Sequence, residues 1–382
     1  KVKDSNRTPK ESDYTSVRSF TTEASEDWYL RDPSGNYGDG DGTSFEDAWN
    51  YIRDIRWGED GVEAGDNLYI CGDQILHNIT NRYFVDTHTE FIEASGHSNE
   101  YPITIRMDCP NGKGEFWSAF EDNYQGPPQW SGPDMNGVYR TDNFSVGTPA
   151  IEYDGENYIL LNRSGNTTWE GGYGHIHNED GTTYVKTTDG SHPKGKIYSR
   201  GSYNILDLGR SSYIRFYRCN FYWSKQNKEK KGTTRTQVPA SHDIVYDESE
   251  LRYGHTLIDL YAGHNNWTIK NSELHDAGNG IYTHTPGNMY NLLVENTKIH
   301  DIGIDEFYHK DAHAIGVQNG IGFVIQNNTI WNTGAALEFW SGNYDMKNNT
   351  IRYNYIKDVY NKKITSGGGI VIDRKSTRLN SS

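Results

Sequence analysis

The chain has 382 residues and a formal net charge of −15 at pH 7. That charge would repel the phosphates of nucleic acid, and it offers no basic surface to anionic lipids. No apolar run reaches the roughly 18 residues that a membrane-spanning helix needs. The sequence therefore predicts neither a nucleic-acid partner nor a membrane partner.

The composition predicts an all-β fold with a narrow core. Only 34% of the residues are apolar, whereas Gly contributes 40 residues and Tyr 28. Many short strands joined by Gly- and Asn-rich turns have this composition. The chain is long enough for two average domains, but an elongated β-architecture also reaches this length as one unit.

The N-terminal region is predicted to have two parts. Residues 1–26 are polar and lack periodicity, which indicates an extended arm. Residues 27–66 are predicted to form a strand and then a short capping helix. Ser44 is placed to cap this helix, which we expect from about Phe45 to Trp57 and which would close the first coil of the fold. The opening residues KVKDSNRTPK do not form a signal peptide. They resemble the start of a mature or trimmed chain.

Cysteines and glycosylation sequons give weak signals. Cys71, Cys109 and Cys219 lack the spacing of metal ligands, and both a Cys71–Cys109 disulfide and three free buried thiols agree with the sequence. The composition, rich in Asn, Ser and Thr, would produce several sequons by chance. The candidate acceptors are Asn6, Asn78, Asn143, Asn162, Asn166, Asn266, Asn327 and Asn348, with one more at Asn380.

Two long stretches hide the strand pattern in the middle of the chain. Loop-rich sequence lies near residues 110–200, and a second excursion runs from Ser224 to Glu250 (residues 224–250). We expect weak coils at NYILLN (Asn157–Asn162) and YIRFYRCNFYW (Tyr213–Trp223). Excursions of this length in a compact protein are usually functional walls or mobile surface.

The C-terminal half contains a repeat. The segments WTIKNSELHDAG, LLVENTKIHDIG, FVIQNNTIWNTG and a looser NTIRYNYIKDV share one aliphatic position, which recurs after 25, 31 and 26 residues. That position is occupied by Leu274, Ile299, Ile330 and Ile356. Alternating apolar residues with a period of this size are typical of stacked strands in a solenoid.

A second strand follows each of these turns, which predicts a parallel β-helix over residues 67–372. The second strands are IDLY (Ile258–Tyr261), GIYTH (Gly280–His284), AIGVQ (Ala314–Gln318), ALEFW (Ala336–Trp340) and GIVID (Gly369–Asp373). Each unit is too short to bury its own apolar face, so neighbouring coils must stack to build a core. Asn271, Asn296 and Asn327 recur at one bend, where we expect a ladder of amides inside the bend.

The segment DWYLRDPSGNYGDGDGTSFEDAW (Asp27–Trp49) resembles the opening of secreted right-handed parallel β-helix proteins. GDNLYICGD (Gly65–Asp73) and YPITIRMD (Tyr101–Asp108) resemble the first two coils of those proteins. The resemblance covers about residues 27–372 and implies this fold and an extracellular location. The family includes polysaccharide lyases, glycoside hydrolases, uronan epimerases, phage tailspikes and non-catalytic surface proteins. The start is most similar to alginate- and chondroitin-type lyases, whose catalytic Lys–Arg pair has no assignable counterpart here.

The last ten residues, DRKSTRLNSS (residues 373–382), abandon the coil pattern. They resemble the translated read-through of a common sequencing adapter, found where assembled environmental genes are cut short. We expect a non-native tail, with further coils in the natural protein. A genuine basic tail is the alternative.

The second strands predict one functional face, because alternate residues of a strand point outward. With Ile258, Ile281, Ile315, Leu337 and Ile370 as the inward row, two outward columns follow. One column contains Asp259, Tyr282, Gly316, Glu338 and Val371, and the other contains Tyr261, His284, Gln318, Trp340 and Asp373. Column neighbours lie about 4.8 Å apart. A shift of one residue would bury Glu338 in the core, where a charge needs a partner.

The stretch YHKDAHAIGVQ (Tyr308–Gln318) adds a base, an acid and a cation at the mouth of this face. Histidine titrates near neutrality, so we expect His313 and Lys310 to transfer protons. Glu338 and Asp311 are the other candidate catalytic residues. The candidate sugar-binding residues are Trp340, Tyr261, His284, Gln318 and Tyr282. Trp331 is a further ring that could stack on a pyranose.

Two acidic residues of the outward columns suggest that a metal ion binds on this face. Asp259 and Glu338 are candidate Ca²⁺ ligands, acting at separate points because three coil steps of about 4.8 Å, or about 14 Å, lie between them. His275 and His300 fall with Asp276 and Asp301 on the turn after the shared aliphatic, where Asp usually bonds its own backbone.

Three functions agree with these residues. The first is a secreted polysaccharide lyase that cleaves an acidic polysaccharide by β-elimination, with Ca²⁺ neutralising the substrate. The second is a glycoside hydrolase or uronan epimerase on the same fold, although a hydrolase needs two carboxyls closer together than Asp259 and Glu338. The third is a non-catalytic extracellular glycoprotein, such as a coat, adhesin or filament subunit, whose solenoid ends associate end to end.

Overall fold

The structure is a computed structural model, and it describes most but not all of the chain. The described residues are 25–31, 35–75, 90–92, 94–117, 119–120, 129–142, 150–153, 158–163, 174–179, 181–194, 196–200, 206–208, 211–222, 241–254, 256–260, 264–283, 289–303, 312–341, 346–359 and 368–374. Of the predicted N-terminal arm, the described ranges therefore include only residues 25–26. Of the predicted tail, they include only residues 373–374.

Three parallel sheets wind into a β-helix, as predicted. Sheet 1 has ten strands: Asp27–Leu30, Asn67–Ile70, Ile103–Arg106, Ser212–Tyr217, His242–Asp247, Asn265–Lys270, Met289–Glu295, Gly320–Ile321, Val324–Gln326 and Thr350–Arg352. Sheet 2 has eight: Asp73–Ile75, Glu115–Trp117, Asn220–Tyr222, Glu250–Arg252, Glu273–Ala277, Lys298–Ile302, Thr329–Thr333 and Tyr355–Val359. Sheet 3 has five: Thr256–Leu260, Asn279–Thr283, His313–Gln318, Ala335–Ser341 and Ile370–Arg374.

The last five coils run through sheet 1, sheet 2 and sheet 3 in that order, whereas the earlier coils have described strands in sheets 1 and 2 only. Like residues stack in register. Leu274 pairs with Ile299, and Ile299 pairs with Ile330, as the repeat predicts. These side chains are fully buried. The aromatic residues Phe216 and Tyr246 continue the stacking in the earlier coils, with ring centroids 4.6 Å apart. The core is therefore a column of apolar layers, one layer from each coil.

Backbone in the left-handed region marks three places in each of the last five coils, five residues apart. Non-glycine residues adopt a positive φ chiefly when they are Asn or Asp, whose short side chains tolerate it. The first place is a bulge in sheet 1, with Tyr213, Asp243, Asn266, Asn291, Gly322 and Asn348. The second is the bend from sheet 1 to sheet 2, with Arg218, Glu248, Asn271, Asn296, Asn327 and Tyr353. The third is the bend from sheet 2 to sheet 3, with Tyr253, Asp276, Asp301, Asn332 and Asp358.

The asparagine ladder predicted inside a bend lies on its outside instead. Asn296 Nδ2 donates to Asn271 Oδ1 at 3.4 Å, which confirms an amide-to-amide contact, but both residues are exposed, as is Asn327. Their positive φ turns the side chain outward and aims the next residue inward. That next residue builds the internal ladder, in which the N–H of Thr297 donates to Asn328 Oδ1 and the N–H of Asn328 donates to Asn354 Oδ1, both at 3.0 Å.

The α-helix predicted from about Phe45 to Trp57 is wrong. The segment forms bends and turns, and the single helix among the described residues is a 3₁₀ turn, Ile52–Asp54. Ser44 Oγ accepts the N–H of Asp47 at 3.1 Å, as a helix cap would. However, the Ser44 hydroxyl donates back to Asp47 Oδ2 at 2.8 Å and closes a local turn.

Burial of tryptophan explains this departure from the helix pattern. Trp49 pairs with Leu30 through an isolated parallel bridge and is 1% exposed. Its ring stacks on that of Trp28, with centroids 5.4 Å apart. The Trp28 indole donates to buried Asp66 at 3.0 Å, which also accepts the N–H of Glu26 at 2.9 Å. These long-range contacts cover the first coil and override the local propensity for a helix.

The region near residues 110–200 contains two extra sheets instead of loops alone. The first comprises Tyr139–Thr141, Thr182–Lys186, His175–Glu179 and Asn162–Arg163. The second comprises Tyr158–Leu160, Ala150–Tyr153, Ile197–Arg200 and Ala119–Phe120. Most of these pairs are antiparallel, so the prediction of a weak coil at Asn157–Asn162 is wrong. Two short pairs complete the described strands: Glu90–Phe91 with Leu206–Asp207, and Asp108–Cys109 with Gly112–Lys113.

The predictions for the middle coils are confirmed in part. The coil predicted at Tyr213–Trp223 is confirmed by its two strands, but the second excursion is shorter than predicted, because residues 241–250 already belong to a coil. Cys71 and Cys109 form a disulfide that closes a 38-residue loop between the first coils, and Cys219 is free and buried. Within the described ranges, no helix is long and apolar enough to span a membrane.

Candidate functional site

The outward columns predicted on sheet 3 have the register that the sequence indicates. Tyr282 pairs with both Asp259 and Gly316, and Gly316 pairs with Glu338. In the second column Gln318 pairs with Trp340, which pairs in turn with Asp373. The predicted sugar-binding residues Tyr261 and His284 lie outside the described residues, as do Lys310 and Asp311.

His313 lies on this face because a glycine makes room for its ring. Its N–H donates to Asn279 Oδ1 at 2.9 Å, and the preceding Ala312 has a positive φ of 44°. A Cβ on Gly316 would lie 2.7 Å from His313 Nδ1 and 2.9 Å from Tyr282 Cδ2. Any side chain at position 316 would therefore displace the imidazole. The repeat pattern did not reveal this role for Gly316, although a lone Gly within an alternating strand is the signal that points to it.

Three rings form a compact cluster around this position. The rings of His313 and Tyr282 are parallel within 4°, with centroids 5.8 Å apart. Trp340 lies 5.7 Å from His313 and 5.6 Å from Tyr282, tilted by about 40° to each. Trp340 and Tyr282 are partly exposed, whereas His313 is buried. The two outer rings therefore border an imidazole that solvent scarcely reaches.

Glu338 is the carboxylate of the cluster. His313 Nε2 hydrogen-bonds to Glu338 Oε2, and the side chains are 5% and 16% exposed respectively. His313 Nδ1 is buried and has no hydrogen-bond partner among the described residues. The hydrogen bond to His313 uses Oε2, and the Glu338 side chain is the more exposed of the two partners. The arrangement fits a positioned carboxylate better than a histidine that meets substrate itself.

The described residues do not fit a calcium site. Three coil steps separate Asp259 from Glu338, about 14 Å at the spacing of parallel strands. No group of three or more His, Cys, Asp or Glu side chains in the described ranges could hold a metal ion. Calcium prefers six to eight oxygen ligands, so Asp259 and Glu338 cannot supply one ion together.

Sheet 2 presents a second, longer row of stacked side chains. Paired residues along this row are Tyr222, Arg252, His275, His300, Trp331 and Lys357. Trp331 stacks on His300 with centroids 4.0 Å apart, and His300 stacks on His275 at 4.9 Å. Because His300 covers one face of Trp331 and Lys357 is its register neighbour on the other side, Trp331 does not offer the open ring face suggested from the sequence.

Both nitrogens of each sheet 2 histidine are bonded to carboxylates. His275 meets Glu250 at 3.0 Å and Asp276 at 2.8 Å, and His300 meets Glu273 at 3.0 Å and Asp301 at 2.6 Å. Burial alone would lower the pKa of His275, but its bonds to Asp276 and Glu250 raise that pKa to about 9.

The same bonds act on the carboxylate. Burial would raise the pKa of Glu250, but His275, Arg252 and the Tyr222 hydroxyl together lower it to about 2. Both partners are therefore charged near neutral pH. We interpret this row as structural.

Of the predicted glycosylation acceptors, Asn266, Asn327 and Asn348 are exposed residues with a positive φ. Asn6, Asn78, Asn143 and Asn166 lie outside the described residues, and the side chain of Asn162 is not among those described. Glycosylation stays a prediction.

Comparisons with known proteins agree with the fold. A protein-family model for the right-handed beta helix region matches residues 241–382. A solved structure described as the complex of XylC with xylose has a TM-score of 0.57 and 11% identity, covering 86% of this chain and 62% of that one. A glycoside hydrolase has a TM-score of 0.56 and 10% identity, covering 86% of this chain and 83% of that one. No curated protein matches.

These findings define the class of fold, a right-handed parallel β-helix, as the opening segments and the repeat predict. The structural neighbours are carbohydrate-related by their descriptions. At identities of 10–11% the likeness extends to the fold alone. This chain also spans only 62% of the XylC chain.

Proposed function

We propose that this protein is a secreted polysaccharide lyase, with Glu338 as the group that moves the proton and His313 as the residue that positions it. The observation that carries the proposal is the pair itself. A buried imidazole, seated over Gly316, holds one oxygen of Glu338 and lies beside the partly exposed rings of Tyr282 and Trp340.

This assignment changes the role that the sequence suggested for His313. A base must reach the proton it removes. His313 is buried, its Nε2 is occupied by Glu338, and its Nδ1 faces the backbone at Gly316. Glu338 is the more exposed partner. In our proposal Glu338 therefore touches the substrate, and His313 acts through it.

Among the described residues of its own column, Glu338 has no second carboxyl group at the spacing of a glycosidase, so we propose elimination. Glycosidases of the usual type need two carboxyl groups about 5 to 9.5 Å apart. Among the described residues, Gly316 and Val371 are the register neighbours of Glu338 in its column, and Asp259 is about 14 Å away. Elimination needs only one proton acceptor beside the sugar.

The proposed step is balanced within the substrate. Glu338 takes the proton from the carbon that bears the uronate carboxylate, the C–O bond to the next sugar breaks, and a C=C bond forms. Glu338 then returns the proton to the departing oxygen, so no water is consumed. Trp340 and Tyr282 hold the sugar rings, because aromatic faces stack on their C–H edges. Lys310, three residues before His313 in the chain, is our candidate for meeting the substrate carboxylate.

The test is a product assay on alginate, pectate and chondroitin, each with and without added calcium. We expect at least one substrate to give ultraviolet absorbance from the unsaturated product, and we expect Glu338→Gln to abolish it. Reducing ends released without that absorbance would replace elimination with hydrolysis. Silence on every substrate would remove the enzyme assignment.

A non-catalytic glycan-binding protein is the second candidate, because two partly exposed rings beside a carboxylate also suit binding alone. The Glu338→Gln variant discriminates between the two. A binder should keep its affinity for the glycan within about tenfold, since one hydrogen bond contributes about 1 kcal/mol.

A further inference from the structure

The outer face of sheet 1 carries a groove that lies away from the sheet 3 cluster. Its volume is 590 Å³, and its floor is one column of register neighbours, Arg215, Val245, Thr268 and Leu293. The last three are short, partly exposed side chains between rows of longer polar ones. Within the described residues, Asn99 and Pro102 line the end of the groove nearest the first coils.

One rim is a ladder of hydrogen-bonded side chains at the left-handed bulge. Asn291 Nδ2 donates to Asn266 Oδ1 at 2.8 Å, and Asn266 Nδ2 donates to Asp243 Oδ1 at 3.3 Å. Asn99 Nδ2 also donates to Asp243 Oδ1 at 3.3 Å. Because all three ladder residues have a positive φ near 55°, their side chains project from the same point of successive coils. The rim therefore presents polar side chains over three successive coils, about 4.8 Å apart.

Positive and negative groups of the groove are paired within the protein. Arg215 Nη2 lies 2.5 Å from Asp247 Oδ2, and Lys270 Nζ lies 3.3 Å from the same oxygen. Asp243 is paired with His242 at 2.7 Å. An acidic polymer would have to break these pairs to gain an ionic contact in the groove.

We propose that this groove is a non-catalytic binding site for a linear neutral glycan that lies along the solenoid axis. A sugar polymer offers hydroxyl groups at intervals close to the coil spacing, which suits the repeated amides of the rim. The aliphatic floor suits the C–H faces of its rings. An extended peptide repeats every two residues, about 6.8 Å, and would lose register with rungs about 4.8 Å apart. The site would hold the protein on a neutral matrix while sheet 3 acts elsewhere.

The test uses glycine substitutions, which keep the positive φ and remove only the amides. The groove variant is Asn266→Gly with Asn291→Gly. The matched control is Asn271→Gly with Asn296→Gly, the equivalent left-handed residues five positions further on, which do not line the groove. All proteins are made in a host without N-glycosylation. Affinity electrophoresis then measures dissociation constants in gels that contain xylan, glucan or mannan, with alginate and pectate as acidic counterparts.

We expect the wild-type protein and the control to bind at least one neutral polymer with affinities within about twofold of each other. The groove variant should bind that polymer about tenfold more weakly, because two hydrogen-bonding amides are lost. Lyase activity on a polyuronate should stay unchanged in the groove variant. Three results would overturn the proposal: no binding to any neutral polymer, equal weakening in the control, or loss of neutral-polymer binding in Trp340→Ala instead.

Discussion

Histidine–carboxylate pairs join neighbouring coils on two faces of this solenoid, with opposite consequences. On sheet 2, His275 and His300 each bond two carboxylates, and their ring faces are stacked against neighbours in the row. On sheet 3, His313 bonds one carboxylate, and its second nitrogen has no partner among the described residues. Both ring nitrogens of each sheet 2 histidine are therefore bonded within the protein, whereas only one ring nitrogen of His313 is.

The difference arises from single residues in an otherwise regular repeat. On sheet 2 every position of the row from Tyr222 to Lys357 carries a long or aromatic side chain, and the rings of His275, His300 and Trp331 pack face to face. On sheet 3, Gly316 interrupts the column between Tyr282 and Glu338, and the imidazole of His313 fills the gap. The break in the stacked column therefore distinguishes the sheet 3 cluster from the sheet 2 row, although both contain a histidine bonded to an acid.

The largest expected effect separates the two glutamates. Glu338→Gln should reduce turnover by about 100-fold or more, because a positioned acid–base group contributes about 10²–10⁴-fold. Glu273→Gln, at the matching position against His300, should keep turnover while lowering the melting temperature. Steady-state rates and thermal unfolding of both variants check this. Similar rate losses in the two variants would contradict the comparison.

The sheet 2 row should make stability depend on pH in the alkaline range. The pKa of His275 is raised from 6.5 to about 9 by its two carboxylate partners. Because its pKa is higher in the folded state, protonated His275 stabilises the fold. This contribution is fully present below pH 6.5 and is lost as the pH rises through about 9. The loss should amount to about 3 kcal/mol. Denaturant unfolding between pH 6 and 9 measures it, and His275→Gln should flatten the curve in this window. A wild-type curve as flat as that of the variant would refute the assignment.

Gly316→Ala tests the gap in the sheet 3 column. The added Cβ would lie 2.7 Å from His313 Nδ1, so the imidazole must move. We expect a loss of stability of about 1–3 kcal/mol and a fall in kcat of about 10-fold to 100-fold. Gly369→Ala is the control two coils further on, where a Cβ would meet nothing within 4 Å. An active Gly316→Ala enzyme with unchanged pH dependence would show that His313 need not be seated there.

The two tryptophans provide the smallest contrast. Trp340→Ala should raise KM by about 2-fold to 10-fold, because an aromatic contact contributes about 0.5–1.5 kcal/mol, with little change in stability. Trp331→Ala removes the ring stacked on His300 at 4.0 Å, so it should lower stability and leave KM unchanged. Kinetics and thermal unfolding of the pair give the answer. An exchange of the two phenotypes would reverse the roles that we assign to the two faces.

The sequence predicted the coil well because its signals are periodic. Recurring aliphatics located the core of sheet 2, and period-2 alternation located the columns of sheet 3 with the right register. The left-handed positions at intervals of five residues were also readable, since most of them are Asn, Asp or Gly. From these positions the sequence predicts a ladder only at Asn271, Asn296 and Asn327, in the bend from sheet 1 to sheet 2. Their side chains are predicted inside the bend, whereas they lie outside it.

The failures concern non-periodic contacts. The helix predicted near Phe45 gave way to the stacking of Trp49 on Trp28, a contact between residues that local pattern cannot connect. The antiparallel sheets near residues 110–200 have no repeat to reveal them. At the site, sequence placed Glu338 and Trp340 on one face, but the orientation of His313 depends on the space above Gly316, which only the fold defines.

The most direct test of the sheet 3 assignment is a crystal structure of the Glu338→Gln variant soaked with an oligouronide. We predict that sugar rings rest against Trp340 and Tyr282, with the carbon that loses its proton within hydrogen-bonding reach of the side chain at position 338. An oligouronide bound on another face, with the sheet 3 cluster unoccupied, would contradict the account.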